Sequence, residues 1–300
     1  MTYAKEIGDI QLPEVPLFKK GKVRNVYDLE EKLLLVSSDR ISAFDYILPS
    51  LIPLKGIILT QISLFWFDFL KDIIPNHLIA AEVDDYPEQL KKYKDILNKR
   101  SILVEKTKLI PIECVVRGYI SGSGWKEYQK TSSICSIELP KGYEESCKLA
   151  EPIFTPSTKA EEGHDENINH KQTIDLVGKA IFDIIQEKSI ALYSKAEALA
   201  KEKEIIIADT KFEFGINRNG KVILIDEAST PDSSRFWDQD QYRVGISPLS
   251  YDKQFVRNYL LSINWAQKPP VPELPQEIIE KTTDKYLTAY RKITGKELVL

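Results

Sequence analysis

Residues 205–237, IIIADTKFEFGINRNGKVILIDEASTPDSSRFW, constrain this chain more than any other stretch. Two apolar runs, 205–207 and 222–225, flank Asn217-Arg218-Asn219-Gly220, and Asn-Gly between such runs is a strong hairpin signal. Side chains alternate across a strand, so Asp209, Lys211 and Glu213 project from one face. Asp226-Glu227 follows directly on the second apolar run. Carboxylates gathered this way repel, and burying them costs free energy unless a cation or polar ligand sits among them. The alternative is a solvated hairpin face with cross-strand ion pairs. The next segment, Ser229 to Arg235, favours a site, because a long polar turn ending in arginine suits an anion better than a core.

A hairpin of this kind needs a body around it. At 300 residues and 43% hydrophobic content, the chain can form one large domain or two lobes. With 41 basic and 45 acidic residues, its net charge of −4 argues against a non-specific nucleic-acid binder. Cys114, Cys135 and Cys147 lack CxxC spacing, so neither a disulfide framework nor a zinc site is indicated. Cys114, within IECVV, reads as core. His77, His164 and His170 are too few for a His-rich centre, so any metal should be hard and oxygen-ligated. There is no 18-residue apolar span, and MTYAKEIGDI does not read as a signal peptide; a reducing cytosol is the expected compartment.

From the N-terminus, residues 22–29 and 33–36 read as a hairpin whose first strand carries Lys20, Lys22 and Arg24 at alternate positions. Such a basic strand fits a lid over phosphates, with Gly21 allowing close backbone approach, and equally fits an ordinary exposed strand. Asp39, Arg40 and Asp45 follow a buried strand in a Ser-rich segment, where functional residues concentrate. Residues 55–73 have helical apolar spacing and predict a packing helix. The stretch 87–98 reads as a charged helix. Residues 102–111 look like a crossing between lobes; such a crossing can offer backbone groups to adenine or be a plain linker. Strand 111–116 delivers Arg117 to a Ser/Gly loop and then a helix starting near Trp125, an anion cradle or a turn capped by Ser123. The aperiodic loop 151–167, with Lys159, His164 and Asp165, fits substrate capture or a mobile surface. Residues 168–203 read as largely helical, with Ile174, Val177, Ile181, Ile184 and Ile185 on one face. Two further helices, 252–263 with Arg257 and 277–293, flank a Pro-rich link.

GKVRNVYDL, SSDRISAFD, VVRGYISGSGWKEY, FTPSTKAEEGHDENI, ADTKFEFG and IDEASTPDSSRFW, in that order, closely resemble the phosphoribosylaminoimidazole-succinocarboxamide synthase (SAICAR synthetase) family over residues 18–260. Asn25 departs from the Asp common in the family's GKVRDVY motif. The resemblance implies an α+β, two-lobed, ATP-grasp-like fold. An antiparallel N-terminal lobe, residues 1–108, would lie over a mixed α/β lobe, residues 109–300, with C-terminal helices. It implies an ATP-dependent ligase of purine biosynthesis that joins carboxyaminoimidazole ribotide to L-aspartate. Lys20, Gly21 and Lys22 would then face the ATP phosphates, and Glu105 and Lys106 the adenine. Glu213 and Asp226 would hold Mg²⁺. Arg117, Ser123, Asp209, Lys211, Arg235 and Arg257 would hold the ribotide, with catalytic roles on Lys22, Asp209 and Lys211. A monomer is expected, with small-molecule substrates and neither nucleic acid nor membrane as partner.

The residues suit that chemistry. A carboxylate is a poor acyl donor until ATP converts it to an acyl phosphate, and phosphoryl transfer needs positioning and charge neutralisation above all. Three arginines suit anionic substrates, because guanidinium binds phosphate and carboxylate bidentately. Two rivals share parts of the pattern. A protein kinase would carry HRDxxxxN and DFG, which are missing here. A non-catalytic nucleotide-binding module would use the same charges as plain ion pairs.

Overall fold

The computed structural model describes residues 6–159, 166–251 and 253–300. In chain order, the first elements are β1 (Leu17–Lys20), β2 (Arg24–Leu29), β3 (Lys32–Ser37), β4 (Arg40–Ala43), β5 (Tyr46–Leu51), α1 (Lys55–Phe69), β6 (Leu78–Ala80) and β7 (Ser101–Glu105). Five of them form an antiparallel sheet in the order β1-β2-β3-β7-β6. Its central strands are buried on both faces. Leu34, Val36 and Leu103 pack under the N-terminal arm with Ile10 and Leu12, while Leu35, Ile102 and Val104 pack against α1 through Ile58, Ile62 and Trp66. Double burial explains why β3 reads LLLV instead of alternating.

The second half contributes β8 (Ile112–Tyr119), α2 (Gly122–Thr131), β9 (Lys148–Phe154), α3 (His170–Val177), α4 (Lys179–Glu202), β10 (Ile205–Ile216), β11 (Val222–Ile225), β12 (Ser234–Asp238), α5 (Gln254–Ser262) and α6 (Gln276–Thr294). β10 is the axis of this lobe: it pairs antiparallel with β8, β11 and β12 along successive parts of its length. The hairpin forms between β10 and β11, with Glu213 opposite Ile225 and Gly220 at φ +73° in the turn. α4 covers one face of the sheet. The β4–β5 hairpin packs with α5 through Ile41, Leu48, Val256 and Leu260, and Tyr286 and Tyr290 of α6 join the α1 core. Residues before position 108 are therefore woven into the C-terminal helices.

Three expectations need correction. Residues 168–203 form two helices, because Gly178 takes φ +83° between them. Ile184 is 39% exposed, while Phe182, Ile185, Leu192 and Ala196 are buried. At 100° per residue, Ile184 lies on nearly the opposite side of the helix from Phe182. Residues 87–98 hold two four-residue helices, Glu88–Lys91 and Lys94–Leu97, in place of one. Lys20, Lys22 and Arg24 do not alternate on one strand. Lys20 ends β1, Lys22 lies in a turn, and Arg24 starts β2. The Gly21 N–H donates to the Arg24 carbonyl at 2.7 Å, and a Cβ on residue 21 would sit 2.8 Å from that oxygen. The tight turn requires glycine and reverses the chain where the sequence suggests continuity.

Candidate active site

The site is built outward from Asp209, in the middle of β10. The register puts Asp209 opposite Arg117 of β8, and its Oδ2 accepts from the Arg117 guanidinium at 2.9 Å. Arg117 also donates to Thr155 Oγ1 and Ser123 Oγ, each at 3.0 Å, and is 3% exposed. Burial pulls its pKa down, and Asp209 opposes that shift. Arg235 of β12 pairs with the same Asp209 oxygen. Ser121 occupies the N-cap of α2, and its hydroxyl turns to Asp209 at 3.3 Å without capping the helix. The helix thus starts at Gly122, three residues before Trp125, and Ser123 serves Arg117. A Cβ at position 122, where φ is +55°, would meet Arg235 at 2.0 Å. Only glycine lets the helix terminus and that arginine approach so closely.

Two residues along β10, Lys211 Nζ lies 2.8 Å from Glu113 and 2.7 Å from Glu213. Burial alone would lower its pKa, but the carboxylates of Glu213, Glu113 and Asp226 outweigh that and hold it above its usual value. Lys159 also pairs with Glu213. At the end of β11, Asp226 adopts φ +67°, a left-handed conformation that aspartate tolerates better than most residues. Arg24 bridges Asp226 at 3.0 Å and Glu227 at 2.9 Å. Burial pushes the Asp226 carboxyl upward, yet Arg24 and Lys211 together hold it below the usual range. The crowding of like charge inferred from the sequence is therefore relieved by Arg24, Lys159 and Lys211. Among the described residues, no three His, Cys, Asp or Glu side chains gather as a metal cage. Glu213 and Asp226 supply two hard oxygen donors, a set suited to Mg²⁺ only alongside substrate phosphates.

Arg117, Ser123, Asp209, Lys211, Arg235 and Arg257 line a single cleft between the sheet and α5. The residues matched to nucleotide lie elsewhere and are looser. Lys20 pairs with Asp9 at 3.4 Å and Lys22 with Asp45 at 2.5 Å, all four side chains being more than half exposed. Lys106 grips Asp28 at 2.8 Å. The backbone N–H groups of Glu105 and Lys106 donate to the His77 and Glu31 carbonyls. Asp39 is structural: fully buried, it pairs with Arg100 at 3.1 Å and accepts the Gly56 N–H at 2.9 Å. Asn25 is likewise buried and takes a bond from Arg40. His164 and Asp165 lie outside the described residues. Sequence reasoning did not single out Glu113, Lys55 or Lys253, and it grouped Arg24 with Lys20 and Lys22 over phosphates, whereas Arg24 pairs with Asp226 and Glu227. Arg24 and Asp232 sit inside the resembling motifs, whereas Lys55 carries no local signal beyond opening a helix.

The architecture defines a class first: a SAICAR-synthetase-type fold. The chain is similar to the structure of SAICAR-synthase from Saccharomyces cerevisiae complexed with SAICAR, with a TM-score of 0.91 and 47% identity over 98% of this chain and 100% of that one. A SAICAR synthetase of Type-2 in complex with ADP is more distant, at TM-score 0.69 and 25% identity over 94% and 99% of the two chains. The phosphoribosylaminoimidazole-succinocarboxamide synthase of Thermodesulfovibrio yellowstonii is 57% identical over 287 residues, 96% of this chain and 98% of that protein. That of Maridesulfovibrio salexigens is 54% identical over 297 residues, 98% and 99% of the two. A family model described as SAICAR synthetase matches residues 17–272. The chain belongs to the SAICAR synthetase family. It is an ATP-dependent ligase of purine biosynthesis, joining carboxyaminoimidazole ribotide to L-aspartate.

Proposed function

We propose that this chain performs the family's condensation with the residues assembled around β10, each half of the site serving one part of the reaction. The observation that carries this reading is the convergence of Arg117, Arg235 and Lys211 with Asp209 and Glu213 on one strand face. Arg117, Ser123, Arg235 and Arg257 hold the ribotide as an anion, with its phosphate toward the N-terminus of α2, where the helix dipole favours negative charge. Asp209 keeps the two arginines aligned. Lys20 and Lys22, on the hairpin with the Gly21 turn, neutralise the ATP phosphates, and Glu105 and Lys106 flank the adenine.

The ribotide carboxylate attacks the γ-phosphorus, the bond to the β-phosphate oxygen breaks, and ADP leaves. The aspartate amine then attacks the acyl carbon, loses a proton, and expels inorganic phosphate to leave the amide. Lys22 and Lys211 supply positive charge where negative charge shifts during transfer. Glu213 and Asp226 are the ligands offered to Mg²⁺, which when bound would neutralise phosphate charge. Lys159 already reaches Glu213, which supports a role for its loop at the reacting end, where the acyl phosphate must be kept from water.

The same reading places the lobe boundary at residues 108–109, with a monomer acting in the cytosol. No described helix is long and apolar enough to cross a membrane. The test is product analysis with ATP labelled at the γ position. ADP and labelled inorganic phosphate should appear at full rate only with ribotide, L-aspartate and Mg²⁺ together. Label retained in a stable organic product would sink the ligase assignment for these residues.

A further inference from the structure

The left-handed turn at Asp226 has a buried histidine behind it. β11 stays paired with β10 only as far as Ile225, opposite Glu213, and Asp226 is the first residue beyond that ladder. It leaves the sheet at φ +67°, a conformation that persists in a non-glycine residue only where its surroundings hold it. Arg24 holds the carboxylate, at 3.0 Å. The main chain is held by something else. His77 immediately precedes β6 and is 4% exposed, its ring set edge-on to Phe67 of α1 with 5.6 Å between centroids. Burial pulls its pKa down to about 4, Asp226 opposing the shift, so the ring is neutral near pH 7. A neutral imidazole carries one N–H. That N–H donates to the backbone of Asp226, while Nε2 has no hydrogen-bond partner among the described residues. The contact with Asp226 therefore runs through Nδ1.

The ring stands on a fixed mount. The His77 N–H donates to the Leu224 carbonyl at 3.0 Å, and the Leu224 N–H returns a bond to Pro75 at 2.9 Å. Residues 75–77 are thereby fastened to β11 itself, two residues before Asp226. On the other side, the His77 carbonyl accepts the Glu105 N–H at 2.8 Å, at the crossing matched to adenine. One residue ties the end of β7 to β11 through its main chain and reaches Asp226 through its ring.

We propose that His77 is a positioning residue for the metal site: its ring fixes the main chain of Asp226 in the left-handed turn and so sets where the carboxylate stands as a ligand. The proposal rests on the metal-ligand reading of Asp226 above. It gives His77 no contact with substrate and no proton to move. Removing the ring N–H should leave the adenine side alone, since the bond to Glu105 is made by the main chain.

Calorimetric titration of the full chain with ADP, in EDTA and in Mg²⁺, separates the two sides. Affinity in EDTA reads the adenine side, and the gain on adding Mg²⁺ reads the ligands. His77→Leu keeps an apolar side chain against Phe67 without the N–H. It should cut the Mg²⁺-dependent gain by about three- to tenfold, the scale of one hydrogen bond, while affinity in EDTA stays within about twofold. His77→Asn places an amide N–H where Nδ1 stands, and should recover most of the gain even at a lowered melting temperature. Where His77→Leu does not fold, His77→Met takes its place, because a flexible thioether fills irregular space. A gain unchanged in the apolar variant, whether or not affinity in EDTA falls, would overturn the proposal and leave the ligand reading standing. So would a His77→Asn chain that behaves like the apolar variant. Asp226→Asn is the control: a wild-type gain that survives it, or a wild type with no gain, would overturn the ligand reading and the proposal together.

Discussion

The two halves of the site are built on opposite physical plans. In the ribotide half, Asp209, Arg117 and Glu213 are each at most 6% exposed at the side chain, and their partners are set by the register of β8, β10 and β12. In the nucleotide half, Lys20 and Lys22 are more than half exposed on a hairpin whose first strand, β1, is exposed at every residue. Charges locked into a sheet are oriented before the ligand arrives, which avoids ordering them during binding. Charges on an exposed edge hairpin are free to follow a ligand and gain little from their present partners. Under the proposed assignment, the difference lets the protein hold one substrate by preorganisation and cover the other by adjustment.

The sharpest way to break that comparison is at its centre. Asp209→Ala should cost about 3–5 kcal/mol of stability, because Arg117 would be left buried without its counter-charge. Urea unfolding would measure this, and a loss near zero would mean that the ribotide half is not preorganised by Asp209. Glu213→Gln and Asp226→Asn come next. Each should keep the fold but lower turnover by roughly 10²–10³, as expected when a major electrostatic stabiliser is lost. Near-normal activity of either variant at low Mg²⁺ would remove that residue from the ligand set.

Arg235→Ala and Arg257→Ala should each weaken ribotide binding by about 1.5–3 kcal/mol while ATP affinity barely moves. Calorimetric titration with each ligand separates the two effects, and an equal loss for ATP would erase the division between the halves. The smallest structural effect belongs to Lys22→Ala. Its unfolding midpoint should match the wild type, since its Asp45 pair is exposed, while KM for ATP rises. A clear drop in midpoint would show that the hairpin is as rigid as the sheet.

Much of the site was legible from local pattern. The period-two spacing of Asp209, Lys211 and Glu213 places them on one face, and the structure sets two ion-pair clusters along it: Asp209 with Arg117 and Arg235, and Lys211 with Glu113 and Glu213. The helix break at Gly178 was not legible, since the apolar spacing continues across it. In the sequence Arg24 reads as one of three basic residues on a strand that fits a lid over phosphates. Its role appears only when the Gly21 turn starts a new strand there and the fold carries its guanidinium to Asp226 and Glu227, more than two hundred residues away.

By itself the sequence determined the hairpin, the face that its ionisable residues share, a buried strand before Asp39, and the family. Those follow from rules that act over a few residues: the alternation of a strand, the preference of Asn-Gly for a tight turn, and apolar spacing. Which charge neutralises which was settled only by tertiary structure. Lys55, Lys253 and Tyr286 meet Asp232 from three separate elements, and no local rule relates them. A buried charge must find a partner or not be buried at all, and the partner's distance along the chain does not enter that requirement.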